Sequence, residues 1–143
     1  MAKTAVIYWS TTGNTKQMAE LIAEGVKTQG KDVDVFSAAE FSPDKVSAYT
    51  NFAFGCPAMG MEQLDDTEFE PMFNGIKGAL KGKNIALFGS YGWGDGQWMR
   101  NWEEDCTASG ISPILESVIV SGEPLGDVVD KCKELGANLA KLG

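Results

Sequence analysis

Strand-length apolar runs alternate with helical patterns five times along this chain of 143 residues. Apolar runs without polar alternation favour strands that are buried on both faces, as in a parallel sheet. Each run is joined to the next helical pattern by a short connection, so the repeated unit is β-α. We therefore expect one α/β domain, residues 1–143, with helices on both faces of a five-stranded parallel sheet in the order 2-1-3-4-5.

The predicted strand order depends on how the individual runs are patterned. Residues 3–9, 49–55 and 83–89 lack alternation and fit the interior of the sheet, whereas residues 32–36 alternate and fit an edge. A fifth strand is expected within residues 111–120. In this order, ligands bind at the carboxyl ends of strands one and three, so the loops after strands one, three and four should converge.

The loop after the first strand is the first candidate site. It has four hydroxyl side chains, one glycine, one asparagine and no charge: Ser10, Thr11, Thr12, Gly13, Asn14 and Thr15. It precedes a helix, and the unpaired N–H groups and positive dipole of a helix start attract anions. The pattern predicts a phosphate site held by hydrogen bonds, although Ser and Thr are also common as ordinary helix caps.

Two later loops support a ligand site. The loop after the third strand begins with a predicted turn at residues 55–57 and includes Pro57, Ala58, Met59, Gly60, Met61 and Glu62. The loop after the fourth strand contains Ser90, Tyr91, Gly92, Trp93, Gly94 and Asp95. Aromatic rings between glycines are expected to be exposed and to stack on a planar ligand. Together with a phosphate cage, these loops predict a mononucleotide with a planar ring.

Other motifs and the composition exclude several classes of protein. The first loop lacks the dinucleotide and Walker patterns. The net charge of −8 argues against nucleic acid. The chain has no histidine, and its three cysteines lack C-x-x-C spacing, so no metal site and no Ser-His-Asp triad are expected. No apolar run is long enough to cross a membrane and the start has no signal-peptide pattern, so we expect a cytoplasmic protein. We also expect a monomer.

The three loops, in this order and spacing, resemble those of the flavodoxin family, in its short-chain form. The resemblance implies noncovalent FMN and a low-potential, one-electron carrier that shuttles between semiquinone and hydroquinone, with no substrate of its own. It implies that residues 10–15 bind the phosphate and that Met59 and Trp93 cover the two faces of the flavin ring. By the same resemblance, Gly60 and Glu62 would bind N5 and N3, and the backbone of Tyr91 and Gly92 would line the pyrimidine edge.

The resemblance also implies redox partners, such as reductases and ferredoxin-linked oxidoreductases. They are expected to dock at acidic residues near the flavin edge, which are Glu62, Asp65, Asp66, Glu68, Glu70 and Asp95. Two side chains at helical spacing, Trp98 and Trp102, are assigned to the core, and Cys56 is expected to be packed. The main alternative is a flavin-dependent NAD(P)H:quinone-type reductase on the same scaffold, and a flavin-storing protein is a third possibility.

Overall fold

The computed structural model describes residues 3–10, 13–59, 64–92, 96–111 and 113–142. Within these residues, a sheet of five parallel strands has the order β2-β1-β3-β4-β5, as predicted. The strands are β1 (Thr4–Tyr8), β2 (Val33–Ser37), β3 (Asn51–Gly55), β4 (Asn84–Tyr91) and β5 (Val118–Ser121).

The burial of each strand follows its sequence pattern. β3 is buried along its whole length and β1 is buried at all but its last residue. β2 lies at one edge, and none of its residues is fully buried, which confirms the prediction from its alternation. β4 runs two residues further than predicted, through Ser90 and Tyr91. β5 covers only the last three residues of its predicted range and ends one residue beyond it, at Ser121.

Helices cover both faces of the sheet, as predicted. They are α1 (Asn14–Lys27), α2 (Phe69–Ile76), α3 (Gln97–Ala108) and α4 (Asp127–Lys141), with short 3-10 helices at Ala38–Glu40, Pro43–Ala48 and Lys77–Leu80. α1 and α4 pack on one face around residues such as Val6 and Phe88, and α2 and α3 pack on the other around Phe54 and Leu87. No helix in the described part of the chain has the length and apolarity needed to span a membrane.

The backbones of α1 and α4 touch through two glycines. A Cβ atom at Gly136 would overlap the carbonyl oxygen of Ile22, and one at Gly25 would overlap the carbonyl oxygen of Lys133. Both clashes are with backbone atoms, which cannot turn aside as the end of a side chain can. The position of α1, and with it the loop at its N-terminus, is therefore fixed by direct contact with α4.

Candidate functional site

The loop between β1 and α1 ends in a helix N-terminus that is open to a ligand. Gly13 precedes the helix with a φ of 98°, a left-handed conformation that favours glycine. The first hydrogen bond of the helix runs from the N–H of Gln17 to the Gly13 carbonyl (2.9 Å). The N–H groups of residues 14–16 precede that bond, so they have no carbonyl of the helix to bond. The first turn contains no acidic residue, which suits an anion.

Hydroxyl groups complete the donor set around this helix start. Ser10 Oγ accepts the N–H of Gly13 (3.1 Å), which leaves the Ser10 hydroxyl proton to be donated elsewhere. Thr15 Oγ1 and Ser90 Oγ lie 2.8 Å apart in a buried hydrogen bond that joins α1 to the end of β4. The Ser10 hydroxyl and the N–H groups of residues 14–16 are uncharged donors of the kind that suit a phosphate group, and the buried Thr15–Ser90 bond ties the start of α1 to β4. Two predicted members, Thr11 and Thr12, lie outside the described residues.

The segment after β3 is extended, so the predicted turn at residues 55–57 is wrong. The N–H of Cys56 donates to the Phe88 carbonyl (3.3 Å) and that of Ala58 to the Ser90 carbonyl (3.0 Å), which continues the pairing with β4. This pairing is possible because β4 extends beyond its predicted end. Pro57 is buried, and Ala58 and Met59 are half-buried. Gly60, Met61 and Glu62 lie outside the described residues.

The described part of the loop after β4 differs from expectation at one aromatic residue. Tyr91 was predicted to be exposed, but it is half-buried, and its ring centre lies 5.3 Å from that of Trp98. Its carbonyl accepts the N–H of Gly122 (3.0 Å). Gly92 is exposed, and a Cβ atom there would meet nothing within 4 Å. Trp93, Gly94 and Asp95 lie outside the described residues.

A family model described as flavodoxin matches residues 6–140 of the chain. The chain belongs to the flavodoxin family. It is therefore a flavodoxin electron carrier from a flavin-binding family, as the three loops indicated.

Relatives of this flavodoxin match it along nearly the whole chain. The flavodoxin of Clostridium beijerinckii is 42% identical over 137 residues, which cover 96% of this chain and 99% of the relative. The flavodoxin of Megasphaera elsdenii is 42% identical over 136 residues, which cover 95% and 97%. The solution structure of two-electron reduced Megasphaera elsdenii flavodoxin has a TM-score of 0.89 and covers 96% of this chain and 98% of that one. The shared length confirms the short-chain form.

A buried thiol supports the start of the second flavodoxin loop. Cys56 has no exposed surface, and its Sγ accepts the N–H of Asp65 at 3.3 Å. Burial raises the pKa of the Cys56 thiol to about 12, so it stays protonated at neutral pH. The indole Nε1 of Trp98, a core residue as predicted, donates to the Cys56 carbonyl at 3.1 Å. These bonds hold the two ends of the segment between residues 56 and 65.

Asp65 is a helix cap and not part of an acidic docking surface, which corrects the sequence interpretation. Asp65 is only 4% exposed. Its carboxylate accepts hydrogen bonds from the N–H groups of Glu68 (2.8 Å) and Phe69 (2.9 Å) and from the hydroxyl of Thr67 (2.7 Å). Burial raises the pKa of the Asp65 carboxyl, but the hydrogen bonds together lower it by more than burial raises it. The pKa of this carboxyl therefore lies below its usual value. An Asp shortly before a helix with Pro71 in its first turn was a capping signal in the sequence.

Proposed function

We propose that residues 1–143 act as a single domain that binds FMN noncovalently and carries one electron at a time at low potential, as a monomer without a substrate of its own. The observation that carries this proposal is the uncharged donor set at the start of α1. Ser10 and the N–H groups of residues 14–16 would donate to a phosphate monoester, and the buried Thr15–Ser90 hydrogen bond would hold the start of α1 against β4.

The remaining binding roles follow from family membership. Residues 10–15 would hold the phosphate, and residues 57–62 and 90–95 would enclose the ring. Met59 and Trp93 would cover its two faces, Gly60 and Glu62 would bond its edge, and the backbone of Tyr91 and Gly92 would line the opposite side. When bound, FMN supplies a ring that takes up and returns electrons. The protein orients that ring and shields it from water.

The charge of the chain supports a low reduction potential. The net charge is −8, and Asp66, Glu68 and Glu70 are exposed near the start of α2. An added electron brings negative charge towards these carboxylates and towards the half-buried side chain of Met59. Because nearby carboxylates and an apolar side chain both disfavour further negative charge on the ring, full reduction should require a strong reductant.

An anaerobic reductive titration tests this function. Apoprotein that has been reconstituted with FMN should be reduced in two resolved one-electron stages. Visible absorption spectra recorded during the titration would show both stages. Riboflavin, which lacks the phosphate, should bind more weakly and serves as the matched ligand control. Reduction in a single two-electron stage, with turnover of NAD(P)H and a quinone, would instead support the reductase alternative. A chain that takes up no FMN would refute the proposal.

The exposed carboxylates at the start of α2 suggest a basic partner surface. Reductases and ferredoxin-linked oxidoreductases with basic patches would be steered towards Asp66, Glu68 and Glu70. We expect the rate of reduction by such a reductase to fall as salt increases, measured by stopped-flow absorption. Dithionite, an anionic reductant, is the control, because its rate should rise or stay level with salt. A partner rate that is independent of salt would contradict electrostatic steering.

A further inference from the structure

A cavity of about 290 Å³ borders the phosphate loop on the side of β2. Trp9, Ser10 and Gly13 of that loop line it together with Glu68, which lies 59 residues from Trp9 in the sequence. The indole Nε1 of Trp9 donates to Glu68 Oε1 at 3.0 Å across this distance in the chain. This bond connects the start of the phosphate loop to the start of α2.

Trp9 determines where the phosphate loop begins. Its backbone N–H donates to the Gly55 carbonyl (3.0 Å), and its half-buried side chain packs against the core on the α2 and α3 face. The next residue is Ser10, whose Oγ accepts the N–H of Gly13. A change in the orientation of Trp9 would therefore be transmitted directly to Ser10 and Gly13.

Glu68 is held on a rigid base. Its N–H donates to Asp65 Oδ2 (2.8 Å), and the N–H of Asp65 donates to the buried Sγ of Cys56 (3.3 Å). The backbone of Glu68 is thus tied to the segment that follows β3. Its carboxylate accepts the indole N–H of Trp9, so it joins the residue before the phosphate loop to the start of α2.

We propose that Glu68 is a positioning residue for the phosphate loop: by accepting the indole N–H of Trp9, it holds Trp9 and Ser10 in the binding arrangement before FMN arrives. This inference rests on the proposed FMN site. A loop that is ordered in advance loses less conformational freedom on binding and binds more tightly. The negative charge of Glu68 acts in the opposite direction, because it lines the same cavity as the anion-binding residues, and Lys16, which also lines that cavity, offsets part of this charge.

The hydrogen bond and the charge can be separated by substitution. Glu68→Ala removes both, whereas Glu68→Gln keeps an oxygen acceptor and removes only the charge. Trp9→Phe removes the indole donor and keeps an aromatic ring. Glu70→Ala is the matched control: Glu70 is an exposed acid two residues further on, and its carboxylate has no hydrogen-bond partner among the residues that the structure describes.

Dissociation constants for FMN and riboflavin, measured by quenching of flavin fluorescence on the apoprotein, test the proposal. Trp9→Phe should weaken FMN binding about fivefold, the effect expected for one hydrogen bond of ordinary strength. Glu68→Ala should weaken FMN binding by less than that, because it removes the opposing charge together with the bond. The double variant should be no weaker than the weaker single variant, because both substitutions remove the same bond. Glu68→Gln should bind FMN at least as tightly as the wild type does. In Glu68→Ala and Trp9→Phe, riboflavin binding should change less than FMN binding. Glu70→Ala should not weaken FMN binding.

Three results would overturn the positioning role. They are wild-type FMN affinity in Trp9→Phe, equal FMN affinity in Glu68→Gln and Glu68→Ala, and equal weakening of riboflavin and FMN. If Trp9→Phe fails to fold, the comparison of the two Glu68 variants decides alone, because Glu68 is exposed. Failure of the wild-type chain to bind FMN would instead refute the proposed function, so the two failures are distinguishable.

Discussion

The Gly136→Ala variant is expected to have a free energy of unfolding about 3 kcal/mol lower than that of the wild type. The added methyl group would overlap the carbonyl oxygen of Ile22 and press on the backbone nitrogen of Val26. Neither atom can move without displacing α1 from α4. Chemical denaturation followed by far-UV circular dichroism measures the loss.

Displacement of α1 should also reach the phosphate site, because the N-terminus of α1 supplies its backbone donors. We therefore expect Gly136→Ala to weaken FMN binding as well. Gly75→Ala in α2 is the matched control, since a Cβ atom there meets nothing within 4 Å. It should leave stability unchanged or increase it by up to about 1 kcal/mol, because alanine favours a helix over glycine. Wild-type stability in Gly136→Ala would show that the two helices are not in direct backbone contact.

Replacement of Asp65 by alanine is the second change with a large expected effect. At neutral pH the free energy of unfolding should fall by about 3 kcal/mol, which combines the loss of a helix cap with the buried N–H of Phe69 left unpaired. The N–H groups of Glu68 and Phe69 and the hydroxyl of Thr67 would all lose their acceptor. Asp66→Ala, at the exposed neighbouring acid, should change stability by less than about 0.5 kcal/mol.

The effect of Asp65 should depend on pH in one direction. The carboxyl pKa is lowered in the folded protein, so the carboxylate contributes its full stabilisation above its unfolded pKa of about 3.9. That contribution is lost as the pH falls through the folded pKa. The difference in unfolding free energy between wild type and Asp65→Ala should therefore narrow below about pH 4. A difference that stays constant from pH 7 to pH 3 would contradict this account.

The sheet order was predictable because the pattern of apolar and polar residues in a strand indicates whether that strand lies inside the sheet or at its edge. Val33–Ser37 alternates and lies at an edge, whereas Asn51–Gly55 is continuously apolar in its middle and is buried throughout. Local patterning of this kind depends only on which faces of a strand meet other elements. The convergence of the three loops then follows from the strand order, without knowledge of any side-chain contact.

The features that sequence reasoning missed depend on distant partners. Tyr91 was predicted to be exposed because its neighbours are glycines, but the ring of Trp98 on α3 covers it. Asp65 was grouped with surface acids because of its charge, but backbone donors of the next helix bury it. The bond between Thr15 and Ser90 joins two residues that were each assigned to a site loop, and their contact over 75 positions required the fold.

The hydroxyl pair of Thr15 and Ser90 joins the start of α1 to the end of β4 through groups that do not ionise near neutral pH. Either oxygen can donate in this bond, so its direction can reverse by rotation of hydrogen atoms alone. A phosphate monoester gains its second negative charge near pH 6. Whichever oxygen donates, one hydroxyl proton of the pair is left over, and a change of pH across that range does not remove it. Retention of the cofactor across neutral pH would then require no titrating side chain in this chain, which has no histidine.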